Sequence, residues 1–353
     1  MNTPTTAPAR LRISHDACDG PLIHFQFGDA QGRASVAGGT MPGATDAQGR
    51  ASVAAGTMPG ATDAQDDPLR IPCTRLAGPE HGEWWSAGAV SESAQTCGAS
   101  WAHGEHYAMV AIAVAEDDGD IEQAANLAYQ RLITCVRPSA HPYLLRLWNY
   151  FSAINEGLVD HERYRRFCVG RAQGVDGRFN DPPPAATAIG ASQATGQLQV
   201  IALCAREPAI ALENPRQTPA WRYPREFGPV SPGFSRGALL ETDSASPRLL
   251  ASGTASIVGH VSRHLDDIDA QLRESLANLE ALLAEGTARA RRVFSLAGCE
   301  TLRVYLRHPD DLLVAQAVIA SSTLPAARVL YLHGDICRRE LSVELEGVFV
   351  AAD

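Results

Sequence analysis

The chain has 353 residues, 45% of them hydrophobic and 20% charged, which is enough for two ordinary domains with real cores. Its formal net charge of -10 argues against a nucleic-acid or anionic membrane surface as the main partner. An anionic small substrate would therefore need a local cluster of cations.

The opening MNTPTTAPARLRISHD lacks the apolar core of a signal peptide, and no window approaches the ~18 apolar residues of a membrane span. Cysteines 18, 73, 97, 135, 168, 204, 299 and 337 are scattered without a CxxC pair. This usage predicts a reducing, cytoplasmic location without a disulfide frame or zinc site. From Asp29, DAQGRASVAGGTMPGAT is followed from Asp46 by DAQGRASVAAGTMPGAT, a 17-residue tandem duplication spanning 29–65. Small residues dominate it and no apolar period that could form a core runs through it, so it reads as a mobile loop or a recently expanded insert within an N-terminal segment, 1–69.

The remainder divides into two halves, 70–207 and 208–353, with the same order of elements. In the first, apolar spacing predicts a helix over 121–136, a strand over 143–151 and a helix over 161–173. A Pro-rich stretch (182–191) and a strand (198–205) follow. In the second, a helix spans 266–286, with Ile268, Leu272, Leu276, Leu279 and Leu283 on one face, followed by a strand over 301–307. A helix over 310–322 is opened by Pro309, and the stretch 324–334 leads into a last strand. Two such units predict a duplicated α+β fold with mixed sheets covered by helices.

The last strand is the anomaly. In RRELSVELEG, Leu341, Val343 and Leu345 share one face and Ser342, Glu344 and Glu346 the other. The duplication sets Ile201 against Glu344 and Leu203 against Glu346, so the fold does not itself demand the carboxylates. Either the strand turns a polar face to water, or one of these residues is a buried acid.

The connection ENPRQTPAWRYPREFGPVSPGFSRG (213–237) is long and rich in Pro, Arg and aromatics, and is expected to fold over a site. Guanidinium groups suited to carboxylates come from HERYRRFCVGR and from this loop. Helical spacing keeps Arg163, Arg166 and Arg171 from all facing one pocket. Arg171, Tyr223 and Arg225 are the substrate-binding candidates. The histidine pairs HGEH and HVSRH have no clear third ligand, and no metal or other cofactor is expected.

YFSAINEGLVDHERYRRFCVGRAQ, the 213–237 loop, ASGTASIVGHVSRHLDDIDAQLRESLANLEALL and GDICRRELSVELEG together resemble the chorismatase (chorismate hydrolase) family, from about residue 70 onward. The second half alone is similar to the YjgF-like imine deaminases. The resemblance implies two fused domains of the YjgF-like, trimeric-chorismate-mutase-like kind, and cleavage of chorismate to pyruvate plus a ring product. That product would be 3-hydroxybenzoate, 4-hydroxybenzoate or a dihydroxycyclohexadiene carboxylate. It further implies Glu344 as the catalytic acid, Cys337 as a residue of the hydroxybenzoate-forming subgroups, and Arg328 as a carboxylate-binding arginine with Thr187 as its first-half counterpart. Chorismate is then the partner, with neither nucleic acid nor membrane involved, and the chain a homotrimer or a monomer. An imine deaminase and a non-catalytic ligand-binding module are the competing readings.

Overall fold

The computed structural model describes residues 10–18, 21–29, 69–90, 92–96, 98–117, 120–175, 177, 182–244 and 246–352. Beyond Asp29, the tandem duplication lies outside them.

In chain order the strands begin with β1 (Arg12–Ser14), β2 (Ile23–Asp29), β3 (Leu69–Ala77), β4 (Glu83–Ser86), β5 (Glu92–Thr96), β6 (Ala99–His103) and β7 (Tyr107–Ala115). Helix α1 (Ile121–Val136), β8 (Tyr143–Ser152), α2 (Arg163–Val175), β9 (Ala185–Ala191) and β10 (Gln197–Ala205) complete the first half. The second half comprises β11 (Ile210–Leu212), β12 (Gly237–Leu240), β13 (Arg248–Ala255), β14 (Ile257–Val258), β15 (Val261–Ser262) and α3 (Ile268–Ala290). It ends with β16 (Cys299–Leu306), α4 (Leu312–Ala320), β17 (Val329–Asp335) and β18 (Val343–Val350).

The helices start where local chemistry favours it. Asp120 caps α1 by accepting from the Glu122 and Gln123 amides at 3.0 and 3.2 Å, and Asp267 caps α3 through Ala270 N at 3.0 Å. Pro309 opens a single 3-10 turn that leads into α4.

In each half a strand pair runs parallel across a helical crossover, β8 with β9 and β16 with β17, and the returning strand lies antiparallel, β10 on β8 and β18 on β16. The two halves join edge to edge where β17 meets β9, so one sheet runs through both. Helices α1 and α2 cover the outer face of the first half, and α3 and α4 that of the second. A third core, with Ile201, Leu203, Tyr305 and Val348, fills the space between the inner faces. The α+β class and the duplicated order predicted from the sequence are both present.

Ahead of the duplication, the N-terminal segment contributes to a core, because Leu11, Phe25 and Phe27 are buried in the central layer. Strand β2 also pairs in parallel with β3, Phe25 opposite Leu69, across the expected boundary. Strands β3 to β7 were not assigned from the sequence, since the small residues in β5 to β7 blur their alternation.

Helices α1 and α2 touch backbone to side at Gly170, where an added Cβ would lie inside contact distance of the Glu122 carbonyl oxygen and 2.8 Å from its carbon. Gly170→Ala is therefore expected to cost about 1–3 kcal/mol as the helices are pushed apart. Urea denaturation checks this; a midpoint equal to that of the parent would show that α2 yields freely.

Candidate active site

The two carboxylates of β18 are buried. Glu344 is 5% and Glu346 2% exposed, and both face the central layer. Register explains this: Glu344 lies opposite Tyr305 and Glu346 opposite Arg303 on β16, just as Ile201 and Leu203 lie opposite Trp148 and Arg146 on β8. The same two inner positions are apolar in one half and acidic in the other.

They differ in what holds them. Glu346 is fully engaged. Arg303 Nη1 donates to it at 3.0 Å and the Tyr305 hydroxyl at 2.7 Å, and Arg146 Nη2 donates to its other oxygen. Arg303 continues to Glu83, with Nε–Oε1 at 3.0 Å and Nη2–Oε2 at 2.7 Å. Glu83 also accepts from Thr301 and Trp85. Burial alone would raise Glu83, but Arg303 beside it outweighs that and holds its carboxyl below the usual range. Two acids and two guanidinium groups thus alternate in a buried row, Glu83, Arg303, Glu346, Arg146, with charge balanced.

Glu344 stands at the end of this row without an ion-pair partner among the described residues. Burial pushes its carboxyl up to about 8, the neighbouring Glu346 carboxylate adds to the rise, and Arg146 and Arg236 oppose it. At neutral pH it is an un-ionised acid. Gly253 makes room for it, since a Cβ there would lie 2.8 Å from Glu344 Cδ. The Gly253 amide is held instead by Thr187 Oγ1 at 2.9 Å.

Outside this acid lies a pocket of about 500 Å³ at the seam of the halves. Cys337, Tyr164, Tyr223, Phe227, Phe234 and Ile257 form its walls, and Arg165, Arg338 and Arg339 bring cations to it. Glu162, Glu226 and Glu340 also line it, so charged groups of both signs meet an apolar wall in a concave small-molecule site. Cys337 is half-buried and its thiol is pushed up by burial first and by Glu344 second, so it is a neutral S–H close enough to feel that carboxyl. Tyr164 is raised by burial, with Cys168, Cys337 and Glu344 adding to the shift. Glu344 therefore lies behind the Cys337–Tyr164 wall.

Of the six residues picked from sequence, Cys337 and Tyr223 line the pocket and Glu344 lies behind its wall. Tyr223 is buried in the pocket wall, its hydroxyl accepting from Arg236 Nη2 at 2.7 Å. Arg171 is buried close by, but its guanidinium donates to the Gly233 carbonyl and lies over the Tyr129 ring, so it braces the 213–237 loop. Arg225 is 65% exposed at the rim and forms a two-pronged pair with Asp160 at 3.0 and 2.6 Å, which ties the loop to the 3-10 turn 159–161. Arg328 does not reach the pocket; it is exposed in the turn before β17 and its charge is felt by Cys299. Its pairing with Thr187 also fails, because Thr187 lies opposite Trp148 as Leu332 lies opposite Tyr305, four residues beyond Arg328.

The arginines that sequence reasoning missed are Arg146, Arg303, Arg236 and Arg338. Arg146 and Arg303 carried a signal: each interrupts an otherwise apolar strand, in YLLRLWNYF and TLRVYL, at the position facing the central layer. A buried arginine in such a strand must have a buried acid. Among the described residues no group of three or more His, Cys, Asp or Glu is gathered as for a metal ion, and no helix is long and apolar enough to cross a membrane.

A family model described as chorismatase FkbO/Hyg5-like, N-terminal, matches residues 83–204. A chorismatase of Streptomyces rapamycinicus is 38% identical over 273 residues, covering 75% of this chain and 81% of that protein. A 3-hydroxybenzoate synthase of Streptomyces hygroscopicus is 34% identical over 275 residues, covering 75% and 80%. A chorismatase crystal structure superposes with a TM-score of 0.78 at 29% identity, covering 98% of this chain and 100% of that one. With relatives this similar over three quarters of its length, the chain belongs to the chorismatase family.

Proposed function

We propose that this protein cleaves chorismate to pyruvate and 3-hydroxybenzoate, with Glu344 as the general acid. The observation that carries the reading is a lone buried carboxylic acid, un-ionised near neutral pH, behind the wall of a pocket lined by guanidinium groups. Cleaving an enolpyruvyl ether needs a proton on its methylene carbon, which creates an oxocarbenium ion. An acid with a pKa near the working pH is the effective donor, and burial is what brings a glutamic acid there. Pyruvate and hydroxybenzoate together contain the atoms of chorismate. An oxygen gained at the oxocarbenium carbon is therefore balanced by one lost from the ring as it becomes aromatic. Arg236 and Arg338 offset the two carboxylates of the substrate, and Arg146 and Arg236 oppose the charge left on Glu344 after it gives up its proton.

The choice of 3-hydroxybenzoate rests on the similarity to the synthase and on Cys337, a neutral thiol on the pocket wall beside Glu344. There it can meet the ring during aromatisation. The test is incubation of the purified protein with chorismate, without metal or cofactor, with pyruvate and both hydroxybenzoates quantified by chromatography. Equal amounts of pyruvate and 3-hydroxybenzoate above the spontaneous background are expected; background alone would overturn the reading. Cys337→Ala is expected to keep pyruvate release within about tenfold while lowering the share of 3-hydroxybenzoate in favour of 4-hydroxybenzoate or a ring diol, read from the same chromatograms.

A further inference from the structure

We propose that Arg338 is the anchor for the ring carboxylate of the substrate, an assignment that rests on the function proposed above. Three cationic side chains line the pocket, and two of them are already engaged. Arg165 pairs with Glu162 at 3.2 Å and lies 3.8 Å from Asp160. Arg339 donates to the Asn155 and Gly157 carbonyls and lies 3.6 Å from Glu162. Arg338 alone of the three has no carboxylate partner among the described residues.

Its guanidinium is nonetheless fixed. Nη1 donates to the His260 carbonyl at 2.9 Å and to Ser262 Oγ at 3.0 Å, and the plane lies over the rings of Phe227 at 4.3 Å and Tyr223 at 5.2 Å. Nη2 is buried without a hydrogen-bond partner. A buried, oriented N–H with nothing to donate to is costly unless a ligand completes it. Here it belongs to a pocket-lining residue next in sequence to Cys337.

A second set of orphan donors lies behind the pocket wall, with Arg236 against Tyr223 and Phe234 and Arg146 against Thr187, which borders Gly253 and Glu344. Arg146 Nη1 and Arg236 Nε are both buried and unpartnered, and both charges act on Glu344. A substrate with two carboxylates has one pole for each set. The enolpyruvyl group must meet Glu344, so its carboxylate goes towards Arg236. The ring carboxylate is then left for Arg338, with the ring between Phe227, Tyr223 and Cys337.

The experiment compares wild type, Arg338→Met and Arg338→Lys, using chorismate as substrate and two competitive probes, 3-hydroxybenzoate and its neutral analogue 3-hydroxybenzyl alcohol. Binding of both probes is also followed directly by tryptophan fluorescence. Arg338→Met is expected to raise KM for chorismate about 100-fold with kcat within about threefold. The same variant weakens 3-hydroxybenzoate about as much and leaves the alcohol nearly unchanged. Arg338→Lys, which keeps the charge and loses the fork, falls between and decides the matter if the Met variant does not fold. Unchanged KM and unchanged 3-hydroxybenzoate binding would overturn the assignment. Equal weakening of acid and alcohol would also overturn it, leaving Arg338 a packing role on Phe227 and Tyr223. Failure of wild type to release pyruvate would instead sink the functional reading, and the fluorescence titrations still judge Arg338 in that case.

Discussion

Glu344→Gln is expected to lower kcat on chorismate about 10³-fold while leaving KM within a few-fold of wild type. General acid catalysis by a positioned side chain contributes roughly 10²–10⁴-fold, and glutamine keeps the shape and polarity of the neutral acid but has no proton to transfer. The same residue sets the pH dependence. With its carboxyl pushed up to about 8, kcat/KM should be level near neutrality and fall about tenfold per pH unit above that value. Stopped assays from pH 6 to pH 10 check it, and the Gln variant should lack the alkaline limb. A Gln variant with full turnover would remove Glu344 from the chemistry. One that binds chorismate tightly without turning it over separates this enzyme from a ligand-binding module of the same fold.

Stability should move in the opposite direction. The Glu344 carboxyl is raised from 4.5 in the unfolded chain to about 8 in the folded one. Between those values the folded state holds a proton that the unfolded state has released, so stability falls as pH rises through that window. The linkage amounts to at most about 5 kcal/mol at pH 8. Glu344→Gln removes the titration, so the variant should gain on wild type progressively from about pH 4.5 to pH 8 and show no such gain below it. Urea midpoints at pH 4.5 and pH 8 measure the difference. Equal shifts at both would mean that the acid is not held neutral.

Arg303→Met has the largest expected effect on the fold, a loss of about 3–5 kcal/mol at pH 7. The guanidinium is 2% exposed, serves both Glu83 and Glu346, and lies over the Phe25 ring at 4.6 Å. Methionine fills much of its volume but leaves two buried carboxylates short of a cation, and breaking a buried pair from one side has about this cost. The loss should narrow near pH 4.5 for two reasons. In the variant, Glu83 can escape by taking up a proton. In wild type, Glu83 has a lowered pKa, so the stability it contributes is present above 4.5 and is lost as pH falls through its folded value. Paired urea titrations at the two pH values test this; a loss under about 1 kcal/mol at pH 7 would show that the row is not held by Arg303.

The sequence by itself determined the helices and the duplicated order of elements. Apolar spacing at Leu272, Leu276, Leu279 and Leu283 and the proline before α4 are local signals, and each acted where it stood. It also singled out Glu344 and Glu346, because comparing LQVIALC with LSVELEG shows two acids where an equivalent strand needs none, and the family resemblance implied Glu344 as the acid. Only the tertiary structure decided which arginines matter. Arg171 and Arg225 were chosen for their motif and loop, yet a carbonyl and an aspartate already hold them, whereas Arg146, Arg303 and Arg338 gain their roles from partners far along the chain. Periodicity tells which face of an element is buried, but which charge is paired and which donor is left for a ligand depends on distances set by packing the two halves together.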